Sequence, residues 1–276
     1  MMKSLYLTIL CLLVFGIQQI EGVTLSDTLN KEKIGNNPKA AKYYHIRGIN
    51  IYTEQYGKGK PLVLIHGNGG NISSMASIIP YFSKKYRVIA MDSRAHGKSI
   101  DKNDSLSFEM MADDVSALLE EMKIKSAYVI GWSDGGIVAI EMAMRHPDKV
   151  IKLASTGANI TPDSTAFATG FWKESYQHYE KNKNLPKTTE QEKRDWKYFM
   201  LDWLYPNISL TELHKITTPS LIISGDRDLI SLPHTLLIFQ NIPKAQLWVV
   251  PNSGHATLIE HTADFCKTVD EFFNEK

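Results

Sequence analysis

The chain has 276 residues, 43% apolar, 10% aromatic and 22% charged, which excludes bulk disorder and allows one large domain or two small ones. Lys and Arg number 31 against 30 Asp and Glu, and the formal net charge of +1 suits neither a nucleic acid nor an anionic membrane surface. Two cysteines, Cys11 and Cys266, exclude a disulfide scaffold and a Cys-based zinc module.

Leu5 to Ile17 are almost wholly apolar, preceded by Lys3 and followed by Gln18, Gln19 and Glu21. A short basic start, a run too short for a membrane span and a small-residue exit at Gly16 or Gly22 describe an export signal over residues 1–22. Its removal would leave a periplasmic or secreted protein without Cys11 and without stable membrane association. The alternative is an uncleaved N-terminal anchor. Residues 23–276 then read as a single domain.

Residues 23–40 are a polar lead-in. From Tyr43 an alternation through Ile46, Ile49 and Ile51, with Gly48 between, predicts an edge hairpin. The unbroken apolar run at 62–65 after Pro61 has the character of a parallel strand buried on both faces. Helical spacing over Ile72–Lys84, a strand at Arg87–Met91 and a helix over 108–122 follow, the last with Ser107 as its N-cap. Then come a strand at Ala127–Ile130, a helix over Gly135–Arg145 closed by His146-Pro147, and a strand at Val150–Ala154. Strands at Leu221–Ser224 and Leu247–Val250 flank a helix over 233–240, and a last helix spans 262–273. Alternating strands and helices predict an α/β fold with a mostly parallel sheet. Residues 156–208 interrupt it with aromatic-rich helical segments and no buried strand, so they read as a helical cap.

Gly131-Trp132-Ser133-Asp134-Gly135 sits between a predicted strand and a predicted helix. In that context G-x-S-x-G is a nucleophile elbow, whose glycines relieve a sharp turn and leave the serine hydroxyl exposed at the sheet's carboxyl edge. A serine needs a base, and the base an orienting acid. His255 and Asp228 each follow a later strand, in the order Ser, Asp, His, at carboxyl ends where parallel sheets place their sites. Asp226 is the rival acid. The remaining histidines (45, 66, 96, 146, 178, 214, 234 and 261) are assigned to turns or the surface. His66-Gly67-Asn68-Gly69-Gly70 is small enough to bring the Asn68 amide against Ser133, and the Asp134 amide would be the second oxyanion donor. A phosphate cradle does not fit, since Ile72 stands where G-x-G-x-x-G needs glycine and Asp92 where a Walker loop does.

These motifs resemble the α/β-hydrolase family of single-domain serine esterases and related enzymes. The resemblance runs from about residue 43 to 274 and rests on HGNGG (66–70), DSRAHGKS (92–99), GWSDGG (131–136), GDRD (225–228) and SGH (253–255). It implies an eight-stranded sheet with a cap between its sixth and seventh strands. It places Ser133, Asp228 and His255 on the family's triad, and Asn68 and Asp134 on its oxyanion donors. Ala95 departs from the family's glycine in a structural turn. Trp132 and Asp134 are similar to the valacyclovir-hydrolase-like branch, which cleaves amino-acid esters.

Two assignments stay open. The Asp134 side chain either faces the substrate, where it would attract an ammonium group, or caps the helix start. Phe167, Phe171 and Trp172, with Trp132, either line a substrate pocket or pack the cap. The expected activity is hydrolysis of a small carboxylic ester through an acyl-enzyme, without metal or organic cofactor. Carbon–carbon bond hydrolysis, acyl transfer and non-catalytic ligand binding are the alternatives. Four N-x-[ST] matches occur, at Asn71, Asn103, Asn159 and Asn207.

Overall fold

The computed structural model describes residues 33–103 and 105–275. The expected export signal and most of the polar lead-in lie outside the described residues. Among those described, no helix is long and apolar enough to cross a membrane.

The expected edge hairpin is β1 (Ala41–Ile46) and β2 (Ile49–Tyr56), paired antiparallel. Arg47 and Gly48 turn it with φ of 46° and 80°, the double positive-φ geometry whose twist matches paired strands. The remaining strands are β3 (Lys60–Ile65), β4 (Tyr86–Met91), β5 (Ala127–Trp132), β6 (Val150–Thr156), β7 (Ser220–Gly225) and β8 (Ala245–Val250). The eight form one sheet in the order β1-β2-β4-β3-β5-β6-β7-β8, in which β2 alone runs against its neighbours.

The apolar runs are unbroken because both faces are covered. Val63, Ile65, Ile89, Met91 and Val129 pack on one side with α2 (Phe108–Glu121) and α3 (Asp134–Arg145). Their strand neighbours Leu62, Leu64, Val88, Ala90, Tyr128 and Ile130 point the other way. That second core is closed by Phe265, Val269, Phe272 and Phe273 of the C-terminal helix (Thr262–Asn274). Ser107 caps α2 as expected, its side chain accepting from the Met110 N–H.

One helical expectation fails. Residues 72–84 fold as a 3-10 turn, Ile72–Met75, and a separate short helix α1, Ile79–Phe82. The apolar positions are buried as the spacing demands, with Ile72, Ile79 and Phe82 at 0% exposure. Pro80, however, cannot continue a helix from the preceding turn, and it starts α1 instead. Asn71 caps the first turn by accepting from the Ser73 N–H at 2.8 Å, and Ser73, Ser74, Ser77 and Ser83 supply competing side-chain acceptors.

Between β6 and β7 lie α4 (Phe171–Asn182), α5 (Glu190–Leu204) and the short α6 (Leu210–Leu213). α4 and α5 meet through a cluster of rings: Trp172, Tyr176 and Tyr179 against Trp196 and Trp203, and His178 against Phe199. Only Leu201 of these two helices is buried in the body. After β7 come α7 (Leu232–Asn241) and, past β8, α8 (Thr257–Glu260) and the C-terminal helix α9.

Three of the histidines assigned to turns or the surface are buried, one of them, His96, within a turn. His66, His96 and His234 are 1%, 1% and 3% exposed. They bond backbone groups that loops would leave bare: His66 Nε2 accepts from Ser93 N–H at 3.0 Å and His234 Nε2 from Ile160 N–H at 3.0 Å. Burial holds all three below the usual imidazole range, His96 at about 3. Of the N-x-[ST] sites, Asn159 is buried and donates to Thr161 O, which closes it to a glycan.

Candidate active site

The strand-to-helix turn after β5 is as sharp as G-x-S-x-G requires. Ser133 has φ 56° and ψ −121°, a left-handed conformation that a side-chain-bearing residue adopts only under constraint. The flanking glycines are compulsory. A Cβ on Gly131 would lie 1.9 Å from Gly135 O, and one on Gly135 would lie 2.1 Å from Ile65 O. The turn therefore presents Ser133 at the carboxyl edge of the sheet, over the N-terminus of α3.

Two further strand ends reach the same point. His255 Nε2 lies 2.9 Å from Ser133 Oγ, and His255 Nδ1 lies 2.6 Å from Asp228 Oδ1. A carboxylate only accepts, so Nδ1 carries the proton and Nε2 is left to accept from the serine. Asp228 is fixed in turn: its side chain is fully buried, Oδ1 also accepts from Ile230 N–H at 3.0 Å, and Ser224 Oγ is 3.4 Å from Oδ2. Between the two candidate acids the geometry is unambiguous. Asp226 turns away and accepts from Ser253 N–H at 3.1 Å.

The loop after β3 comes as close as its small residues promised. A Cβ on Gly67 would stand 2.9 Å from Ser133 Cβ, so the backbone leading into Asn68 runs directly past the Ser133 side chain. The Asp134 amide lies on the other side, at the first residue of α3.

Trp132 has a specific role. Its indole N–H donates to His255 O at 2.8 Å, tying the elbow to the histidine loop. Phe167 forms a β-bridge with Ile230, two residues beyond Asp228, and its ring lies 5.0 Å from that of Phe171. Trp172 belongs to the cap's own interior. It donates to Pro162 O at 3.2 Å and stacks on Tyr176 and Trp203.

Asp134 is 4% exposed, and its Oδ2 has no hydrogen-bond partner. The helix cap is Ser133, so Asp134 is not the cap residue. Its neighbour is Asp202 of α5, a second acid at the cap–body junction. Burial first, and the Asp202 charge second, hold the Asp134 carboxyl well above the usual carboxylate range. Desolvation of its carboxyl pushes Asp202 up to about 6, although the residue as a whole is exposed, and hydrogen bonds from Asn68 and from Asp134 oppose the shift. Each of the two carboxyls is therefore harder to ionise than an isolated one.

Three contributing residues gave little sign of themselves in the sequence. Gly157, at φ 66°, leaves room for the histidine, since a Cβ there would lie 2.7 Å from His255 Cε1. Its place just past a strand's carboxyl end is the one clue. Glu260 holds the histidine loop by accepting from Gly254 N–H at 2.7 Å and Ser253 Oγ at 3.1 Å. Asp202 lies 134 residues from Asn68, its hydrogen-bond partner. Among the described residues, no group of three or more His, Cys, Asp or Glu side chains is arranged to hold a metal ion.

The sheet order, the single reversed strand and a serine–histidine–aspartate line at the carboxyl edge define an enzyme of the α/β-hydrolase class. The chain belongs to the α/β-hydrolase fold family, whose sequence pattern matches residues 60–211. A human relative, the serine hydrolase BPHL, is 25% identical over 253 residues, 82% of this chain and 84% of that protein. A pimeloyl-[acyl-carrier protein] methyl ester esterase of Legionella pneumophila is 28% identical over 245 residues, 81% of this chain and 99% of the relative. A solved structure of a meta-cleavage product hydrolase from Pseudomonas fluorescens IP01 superposes with a TM-score of 0.69 at 25% identity, covering 86% of this chain and 99% of that one.

Proposed function

We propose that the protein is a serine hydrolase that cleaves small carboxylic esters through an acyl-enzyme. The observation that carries this is the unbroken line from Ser133 Oγ through His255 to Asp228, at 2.9 and 2.6 Å. His255 Nε2 takes the Ser133 proton as Oγ attacks the carbonyl carbon. Asp228 keeps the imidazole in the required tautomer and stabilises its protonated form. The Asn68 and Asp134 amides donate to the oxyanion. His255 then protonates the departing alcohol, and a water activated by the same Nε2 releases the acid.

The methyl ester esterase among the relatives supports the ester reading. The meta-cleavage product hydrolase favours carbon–carbon bond hydrolysis by the same residues as a second reading. A panel of short-chain, aryl, methyl and amino-acid esters, with a meta-cleavage product alongside, separates the two. Turnover of esters that disappears in Ser133→Ala is expected. Ester turnover that survives Ser133→Ala, or turnover of the meta-cleavage product alone, overturns the ester reading.

Within that reading, the Asp134–Asp202 pair supports a preference for α-amino esters, because a substrate ammonium group would favour the ionised form of the two carboxyls beside Ser133. We also propose that residues 1–22 direct export and are removed. Native protein that begins at Met1 overturns this.

A further inference from the structure

Asn68 faces two ways. Its backbone passes Ser133, while its side chain is bound to the cap. Asn68 Nδ2 has two hydrogens, and both find acceptors on α5: Tyr198 O at 3.0 Å and Asp202 Oδ2 at 2.8 Å. These acceptors are four residues apart and share one face of the helix. His96 does not add a third bond. Its Nδ1 donates to Arg94 O at 2.8 Å, so in the neutral ring Nε2, 3.4 Å from Asn68 Oδ1, has no proton to give. The amide is therefore oriented by α5.

α5 has a second hold on the body. The Tyr198 ring stacks on His96 with centroids 4.3 Å apart, and its hydroxyl donates to Ala95 O at 2.6 Å. Asp202 differs from that anchor in what it touches. It bonds the Asn68 side chain on one side and meets Asp134, the residue after the nucleophile, on the other. Both contacts end on the two residues whose amides face the oxyanion.

We propose that Asp202 is a positioning residue for the oxyanion loop: through Asn68 and Asp134 it locks cap helix α5 to the backbone on both sides of Ser133, so acyl transfer runs at full rate only with the cap seated. The inference rests on the serine-hydrolase reading. It makes the cap part of the catalytic geometry as well as a cover over it. Donors to an oxyanion lose most of their value when they are displaced by a fraction of an ångström.

The test is the rate at which a fluorophosphonate modifies Ser133, resolved into a maximal rate and an affinity. The phosphoryl oxygen needs the same donors as the ester oxyanion. Asp202→Ala is expected to lower the maximal rate about 10–100-fold, part of the 10²–10³ that a whole donor is worth, with affinity changed less than about threefold. Asp202→Asn should recover the rate to within about threefold, because its amide oxygen accepts from Asn68 and its NH₂ donates to Asp134. Tyr198→Phe, which cuts only the Ala95 anchor, should slow the reaction far less than Asp202→Ala. The proposal is overturned by an unchanged maximal rate in Asp202→Ala, by an effect confined to affinity, or by equal losses in Asp202→Asn. Equal losses in Tyr198→Phe also overturn it, since any loosening of the cap would then suffice. A wild-type protein that the probe does not modify overturns the hydrolase reading itself, and this inference with it.

Discussion

Glu141 sits in the middle of α3, 4% exposed, on a crevice of about 310 Å³ that it shares with Glu109, Glu212, Arg145 and Lys215. Burial, and next the Glu109 charge, push its carboxyl up to about 7 from the ordinary 4.5. The folded state therefore holds this proton more tightly than the unfolded chain does. That contribution to stability is whole below pH 4.5 and is lost as pH rises through about 7. At about 1.4 kcal/mol per unit, the full loss is about 3 kcal/mol, of which about 2–3 falls between pH 5 and 8. Glu141→Gln removes the titrating group at nearly constant shape, and every other group cancels between variant and wild type. Urea unfolding followed by tryptophan fluorescence at several pH values should show the variant gaining about 2–3 kcal/mol on wild type from pH 5 to pH 8. With an m-value of about 3 kcal/mol/M, that is a relative midpoint shift of about 1 M. A difference between the two proteins that stays constant across this range would refute the assignment, whatever its absolute size.

Four other outcomes are expected. Arg94 lies almost wholly buried between Asp114 and Asp101, at 2.6 and 2.8 Å, and Arg94→Ala should cost about 3–5 kcal/mol in urea unfolding because buried Asp101 loses its ion-pair partner and buried Asp114 keeps only Arg47. Ala95 adopts φ 65°, so Ala95→Gly should raise stability by about 0.5–1 kcal/mol, seen as a higher melting temperature with activity retained. Gly157→Ala places a methyl group 2.7 Å from His255 Cε1 and should reduce kcat by at least about tenfold, with a smaller effect on KM. The double substitution Asp134→Asn, Asp202→Asn removes both carboxyls and should abolish the preference for α-amino esters over neutral acyl esters in kcat/KM; an undiminished preference places ammonium recognition elsewhere.

What the sequence made legible was local. The buried strands announced themselves as apolar runs, and the elbow as two glycines around a serine, because each is decided by residues within a few positions of one another. Of the cases that were misread, one turned on residues inside the segment itself and the others on groups that the fold brings into contact. Periodicity alone suggested one helix over 72–84, yet Pro80 and the serines divide it. His66, His96 and His234 have the residue type of surface groups, but His66 and His234 are recruited by loop backbone that folding brings near, and His96 bonds Arg94 O within its own turn. Asp134 was legible as an unusual charge beside the nucleophile. That it would face a second acid was not, because Asp202 reaches it only when the cap docks.

The stacked rings between α4 and α5 turn the cap into an optical reporter. Trp172, Trp196 and Trp203 lie there, three of the chain's five tryptophans, with ring centroids 4.6 to 6.3 Å from stacked partners. Trp132, at the elbow, lies apart from them, 6.2 Å from the His255 ring. Rings coupled at such distances give near-ultraviolet circular dichroism bands that depend on their mutual angles. Those bands will follow the cap through ligand binding or melting without a label, while the amide signal below 230 nm follows the sheet and helices of the body.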